Sequence, residues 1–190
     1  MLKKILAVII LFVVSLSTGF ASGSFYLGPG ITYADVRSSD LTYNALMPAL
    51  YVGYGAWRSE SLFLALEGFA TSKSIRTTDN DDANTILKMS YNYGLSVVPM
   101  MSLDNAIFGF LRLGFVRTKF PNLGSIENAY QLGLGLEGVL VGCWNLRGEA
   151  DYVKYGSVKK GSSDSDIHVG SLHAAEYTLA LIYRFDSLLG

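Results

Sequence analysis

The stretch that decides the fold is "LKMSYNYGLSVV", residues 87–98, in which the side chains alternate in character without a break. Large apolar or aromatic residues occupy every second position: Leu87, Met89, Tyr91, Tyr93, Leu95 and Val97. The positions between them are polar or very small: Lys88, Ser90, Asn92, Gly94 and Ser96. A period of two predicts a β-strand with one apolar and one more polar face. The apolar face either fills a core or faces lipid, and most of the function depends on which.

Composition limits the classes of protein to be considered. The chain has 190 residues, of which 50% are hydrophobic and 13% aromatic, so it is long enough for one domain with a sizeable core. With 15 basic and 16 acidic residues the net charge is −1, which excludes the basic footprint that nucleic-acid binding needs. We therefore expect no nucleic-acid partner. The single cysteine, Cys143, can form no internal disulfide.

The first residues differ from the rest of the chain. Lys3 and Lys4 precede an apolar run over residues 5–16, interrupted only by Ser15, and small residues including Gly19 and Ala21 follow it. This order predicts a secretory signal peptide over residues 1–21 and a mature domain over residues 22–190. The apolar run is shorter than the roughly 20 residues of a spanning helix, which disfavours an uncleaved anchor.

Eight stretches of the mature chain alternate with a period of two. They cover residues 25–34, 46–55, 62–71, 87–98, 108–118, 129–138, 144–155 and 173–185. Each is close to the roughly ten residues that a tilted strand needs to cross a bilayer, and eight is an even number, as in closed bacterial barrels.

The predicted connections alternate in length. Those at 35–44, 72–85, 119–128 and 156–172 are longer than their neighbours at 56–61, 99–107 and 139–143. In an antiparallel barrel the two sets lie at opposite ends, so one rim carries long connections and the other tight turns. Outer-membrane barrels show this asymmetry, with their long loops outside the cell.

The faces opposite the apolar ones decide the orientation. A soluble, lipocalin-like barrel would expose these faces to water and should cover them with charged residues. In the sixth stretch the face instead consists of Gln131, Gly133, Gly135 and Glu137. Small residues suit the narrow interior of an eight-stranded barrel, so we predict that the apolar residues face lipid. Aromatic belts are then expected at both rims: Tyr33, Tyr91, Tyr130, Tyr152 and Tyr177 at the long rim, and Phe25, Trp144, Tyr183 and Phe185 at the tight rim.

The same alternation directs charged side chains into the barrel. The inward set contains Glu67, Arg112, Glu137, Arg147, Glu149, Asp151 and Arg184. We interpret Glu67, Arg112, Glu137, Arg147 and Glu149 as a structural ion network that fills the interior, because an eight-stranded barrel has room for little else. The alternative is a conduction path lined by the same groups.

A second cluster of reactive residue types lies near the last connection. His168, Ser171, His173 and Glu176 include the residue types of a lipid-hydrolysing site, but loops are ordinarily rich in such residues. We predict no catalytic residue, no cofactor and no metal site.

Three stretches resemble those of a known family: "FYLGPGITYADV" (25–36), "YQLGLGLEG" (130–138) and "YTLALIYRF" (177–185). With them the mature chain resembles the small eight-stranded outer-membrane barrels, namely the transmembrane domain of OmpA, OmpX and the opacity-type surface proteins. The resemblance implies that Tyr183 and Phe185 belong to the signal that the barrel-assembly machinery recognises. Residues 186–190, however, follow the terminal Phe at which family members usually end.

These observations predict an all-β, closed, eight-stranded antiparallel barrel in the bacterial outer membrane. Both termini are expected in the periplasm, and the expected partners are membrane lipids, the assembly machinery and a host or cell-surface ligand of the loops. The expected role is structural: the barrel displays its loops for adhesion, host interaction or envelope integrity. A lipid-modifying enzyme of the outer membrane and a small pore are the alternatives.

Overall fold

A computed structural model describes residues 23–38, 42–73, 76–78, 89–121, 125–159 and 168–185. The predicted signal peptide and residues 186–190 lie outside this part of the chain. No helix in the described ranges is long and apolar enough to span a membrane.

The described chain is almost entirely β-strand. In chain order the strands are β1 (Gly23–Arg37), β2 (Thr42–Trp57), β3 (Leu62–Thr71), β4 (Arg76–Thr78), β5 (Tyr91–Asp104), β6 (Ile107–Phe120), β7 (Ser125–Val141), β8 (Trp144–Lys159) and β9 (His168–Arg184). Alternating side chains and many β-branched and aromatic residues favour this conformation throughout.

The sheet closes on itself. Every long strand pairs antiparallel with the next long strand in the chain, and β1 pairs with both β2 and β9. The short β4 adds three residues alongside β2, at Asn44–Leu46. The eight long strands therefore form a closed antiparallel barrel, which confirms the predicted fold. Closure pairs the backbone groups that an open sheet would leave exposed at its edges.

The closing seam between β1 and β9 has one interruption. Leu27 pairs with Tyr183 and Gly30 pairs with Ala180, while Gly28 and Pro29 lie between these pairs. Proline has no N–H to donate to a neighbouring strand, which accounts for a gap in the ladder at this point.

The strands extend further than the alternating stretches predict. Only β3 has the predicted ends, and β1, for example, runs to Arg37 instead of ending at residue 34. Backbone pairing continues past the apolar segments because polar rim residues can also pair. As a result the first connection, 38–41, is no longer than the second, 58–61, so the predicted alternation of loop lengths is wrong at this place. The later connections keep it.

The stretch at 87–98 needs one correction. The strand begins at Tyr91, and from there to Val98 the alternation holds. The alternation predicts Met89 on the outward face, but its side chain is fully buried in the core cluster. It precedes the strand, so the period of two does not apply to it.

The apolar residues face outward, as predicted. The exposed fractions of Leu132, Leu134 and Leu179 are 57%, 65% and 59%, whereas Gly133 between the first two is buried. The interior packs tightly around its glycines. A Cβ on Gly135 would lie 2.6 Å from the Gly148 carbonyl oxygen and 2.3 Å from the Phe110 ring, so no larger residue fits there without a shift.

Candidate functional site

The interior contains a set of fully buried charged side chains at inward positions of the strands. Arg112 comes from β6, Arg147 from β8 and Arg184 from β9, and each is at most 1% exposed. Glu67 of β3 and Glu137 of β7 are 0% exposed. Strand alternation places these side chains inside, and closure of the barrel brings five strands' charges together.

Glu67 lies at the centre of this set. Its Oε1 accepts a hydrogen bond from Arg112 Nη2 at 2.5 Å, and its Oε2 accepts one from Arg147 Nη1 at 2.5 Å. The Tyr26 hydroxyl also donates to Oε2, at 2.7 Å. The Glu67 carboxylate thus joins two guanidinium groups on different strands, and charge-assisted bonds of this kind are the strong ones.

The contacts continue on both sides of Glu67. Arg147 donates from Nε at 2.9 Å and from Nη2 at 2.8 Å to Glu137 Oε2, and Arg184 Nε donates to Glu137 Oε1 at 2.8 Å. On the other side Arg112 donates from Nε and Nη2 to Glu149. The result is an unbroken line of alternating charge, which we call the ion line: Glu149, Arg112, Glu67, Arg147, Glu137 and Arg184.

The structure brings together all five residues of the predicted interior network. The predicted network of five residues does not include Arg184, although the alternation in "YTLALIYRF" directs its side chain inward. Arg184 supplies the end of the ion line at the tight rim, two residues beyond the buried Ile182.

Aromatic rings flank the guanidinium groups. The Arg184 guanidinium carbon lies 4.4 Å from the centre of the Tyr26 ring, that of Arg147 lies 4.9 Å from Phe110, and that of Arg112 lies 5.6 Å from Tyr51. Such cation–π contacts are stronger where water is excluded. Ion pairs and aromatic rings therefore pack against one another inside the barrel.

A second polar region lies next to the ion line. Asn92 Nδ2 donates to Glu176 Oε1 at 3.2 Å, and Asp151 Oδ1 lies 3.8 Å from Arg112 Nε. Among the described residues the buried interior therefore has five carboxyl groups for three guanidinium groups. The carboxyl groups are Glu67, Glu137, Glu149, Asp151 and Glu176; the guanidinium groups are Arg112, Arg147 and Arg184.

The residues considered for catalysis are not brought together. His173 is half-buried on the outward face of β9, whereas Glu176 is buried on the inward face. The side chains of His168 and Ser171 lie outside the described part. Within the described ranges no group of three His, Cys, Asp or Glu residues could hold a metal ion.

The predicted aromatic belts point outward. At the tight rim, the rings of Trp144 and Tyr183 are 5.0 Å apart, and Phe185 lies 5.2 Å from Tyr183 and 5.4 Å from Phe25. At the long rim Tyr130, 75% exposed, is the most exposed of the large hydrophobic residues described. Amphipathic rings at these levels suit the two membrane interfaces.

Comparison with known proteins supports the fold. The sequence matches no family model, and no curated protein matches it. Among solved structures, Ail of Yersinia pestis, the attachment invasion locus protein, matches with a TM-score of 0.51 and 13% identity over 86% of this chain and 99% of Ail. Ail in complex with the heparin analogue sucrose octasulfate matches with a TM-score of 0.53, 13% identity and the same coverages. Neisserial surface protein A matches with a TM-score of 0.52 and 15% identity over 86% of this chain and 100% of that one.

The chain therefore has the fold of the small eight-stranded outer-membrane barrels, as the sequence predicts. The closed sheet, the apolar exterior and these neighbours all support the predicted outer-membrane localisation.

Proposed function

We propose that this protein is a scaffold of the bacterial outer membrane that displays its long-rim connections at the cell surface and conducts no ions. The observation that carries the proposal is the ion line, because its six buried side chains cross the interior between opposite walls of the barrel, from β3 to β8. A barrel whose centre is occupied by its own side chains has no passage for ions, so its function depends on its exterior and its loops.

The energetics of the ion line argue against the small-pore alternative. Each internal member of the line contacts two oppositely charged partners, so opening a passage would leave buried charges without partners. Breaking one buried pair typically costs about 3–5 kcal/mol. Opening by thermal fluctuation is therefore rare.

Adhesion or host contact is the role that we favour for the displayed connections, with envelope integrity as the second candidate. Ail is described as an attachment invasion locus protein and has been captured with a heparin analogue. Neisserial surface protein A is named for its place at the surface. By analogy we propose that the connections at 79–90 and 160–167 meet a host or cell-surface ligand.

We also propose that the protein is not an enzyme. A hydrolase of the lipid-modifying class needs a base oriented by a carboxylate beside the nucleophile. The separation of His173 and Glu176 on opposite faces of β9 disfavours this arrangement.

Two measurements test the proposal. In planar bilayers the purified protein should give no stepwise conductance, whereas reproducible steps that change with Glu67→Gln would support the pore instead. On intact cells an epitope inserted between residues 82 and 83 should be accessible to antibody, and the same epitope after Asn105, in the tight turn between β5 and β6, should not. Labelling of the Asn105 insertion would show the opposite orientation.

The adhesive role has its own test. Replacing residues 160–167 by a Gly/Ser segment of equal length should reduce binding of expressing cells to host cells or immobilised heparin, without altering the heat-resistant migration of the folded barrel. Unchanged binding after replacement of both 160–167 and 79–88 would exclude adhesion through these connections.

A further inference from the structure

The outer wall carries charge only at its rims, within the described residues. From Phe25 to Tyr33 on β1, and over the corresponding levels of the other long strands, no outward position is charged. At the long rim the outward or exposed charges are Asp35, Arg37, Lys73, Arg117, Lys119 and Lys154. The tight rim differs, since its exposed charges are Arg58, Glu60 and Asp104. A net positive charge thus lies at one membrane interface only.

Two of these long-rim cations sit side by side without a carboxylate partner in the described chain. Arg117 and Lys119 occupy successive outward positions of β6, about 7 Å apart along the strand. Lys119 lies over the Tyr91 ring at 5.8 Å. Arg37, on the opposite wall of the barrel, instead pairs with Asp35 at 2.5 Å. The pair on β6 therefore remains available to an anion from outside the chain.

An apolar groove begins directly below this pair. It runs over the outward faces of β3, β5, β6 and β7 with a volume of about 510 Å³. Gly114 forms part of its floor, and its walls are made by Leu66, Leu95, Phe115 and Tyr130. The row Leu95, Phe115 and Tyr130 lies one outward position below the row Tyr93, Arg117 and Asn128. The groove thus ends one outward position before Arg117 on β6.

We propose that this groove and the two cations above it form a binding site for one anionic, phosphate-bearing lipid of the leaflet at the long rim. The acyl chain lies in the groove and the phosphate contacts Arg117 and Lys119. The inference rests on the proposed position of the barrel in a bilayer.

The chemistry of each part fits this occupant. A guanidinium group can bind two phosphate oxygens at once, and the lysine ammonium adds a point charge. The groove is apolar where hydrocarbon reaches it, and the exposed rings of Tyr93 and Tyr130 are of the amphipathic kind that is favoured beside lipid headgroups. A zwitterionic lipid fills the groove equally well, but its own cation opposes the two basic residues. The site should therefore select for net negative charge.

Lipid retention in nanodiscs tests the proposal. The protein is inserted into nanodiscs of phosphatidylcholine and phosphatidylglycerol in a 9:1 ratio with identical acyl chains, and the lipids that stay bound after release are counted by native mass spectrometry. We expect phosphatidylglycerol to be enriched at least fivefold over its share in the disc. Arg117→Gln combined with Lys119→Gln should bring the enrichment close to onefold.

Matched variants separate a specific site from general attraction at the rim. Arg37→Gln removes a cation from the same rim on the opposite wall and should leave the enrichment unchanged. Val97→Trp, which fills the groove and keeps both cations, should reduce retention of both lipids. No enrichment in the native protein, or equal losses in Arg37→Gln and Arg117→Gln, would overturn the proposal. If the barrel were an open pore, the protein would conduct ions, and these surface variants would not change that conductance. A failure of the proposed function is therefore distinguishable from a failure of the proposed lipid site.

Discussion

Glu67 and Glu137 each accept hydrogen bonds from two of the three interior guanidinium groups, and Glu67 lies at the centre of the ion line. Replacing Glu67 with Gln keeps its shape but removes the charge that partners Arg112 and Arg147. We expect the free energy of unfolding from lipid vesicles to fall by about 3 kcal/mol, because two buried cations lose a shared counter-charge. Urea titration followed by the shift in gel migration measures the change.

Glu60→Gln serves as the control for this prediction. Glu60 is an exposed carboxylate in the turn between β2 and β3 and should contribute within about 0.5 kcal/mol. Equal effects of the two substitutions would mean that the ion line is held by something other than Glu67.

At the residue scale, the sequence predicts the face of the sheet on which a side chain lies more reliably than it predicts the residue that this side chain contacts. Alternation correctly places Arg112 and Arg147 inside, because every strand position has only two choices. It cannot tell which carboxylate each one meets, since that depends on the stagger of strands far apart in the chain. The omission of Arg184 from the predicted network has this cause. Met89 was misplaced because it lies before the strand begins.

Among the elements, β9 ends in an aromatic cluster with two separable roles. Phe185 packs on Phe25 across the closing seam, and its N–H donates to the Phe25 carbonyl at 2.9 Å. The resemblance to outer-membrane barrels additionally predicts that Tyr183 and Phe185 are read by the assembly machinery. The contact across the seam needs the rings of both Phe25 and Phe185. An assembly signal at the end of β9 needs Tyr183 and Phe185 but not Phe25.

Paired substitutions distinguish the two roles. Phe25→Ala should destabilise the refolded protein by about 1 kcal/mol, because it removes the ring pair with Phe185, and Phe185→Ala by about 2 kcal/mol, because it also removes the contact with the Tyr183 ring. In cells, only Phe185→Ala should slow assembly, measured as the fraction of newly made protein that becomes heat-resistant. An equal delay for both variants would leave Phe185 with the seam role alone.

The elements themselves were largely predictable, and their ends were not. Apolar alternation marks the part of each strand that crosses the membrane, and all eight such parts lie within or overlap observed strands. Backbone pairing extends beyond the membrane-crossing part of a strand through polar residues such as Asp35, Arg37 and Asn44, which are not part of the apolar alternation. The three-residue β4 gives no periodic signal at all, being too short to show a period.

For the whole molecule, the outward apolar surface predicts a dependence on depth. Leu134 is near the middle of β7 and Ile126 is near its long-rim end, and both are exposed. An arginine at the membrane midplane costs about 2–4 kcal/mol, and one near the interface about 0–1 kcal/mol. Leu134→Arg should therefore reduce the free energy of unfolding, measured in vesicles, far more than Ile126→Arg does. Similar costs at both positions would contradict the membrane orientation.

Pairing of β1 with β9 joins the first and the last strand of the described chain, so the barrel cannot close before β9 has been made. A nascent chain that stops before residue 168 leaves β1 and β8 each with an unbonded margin, which hydrocarbon does not tolerate. No partial product is therefore a smaller working version of the protein. Insertion into the membrane therefore has to wait for β9, and a premature stop codon before residue 168 should abolish the folded protein.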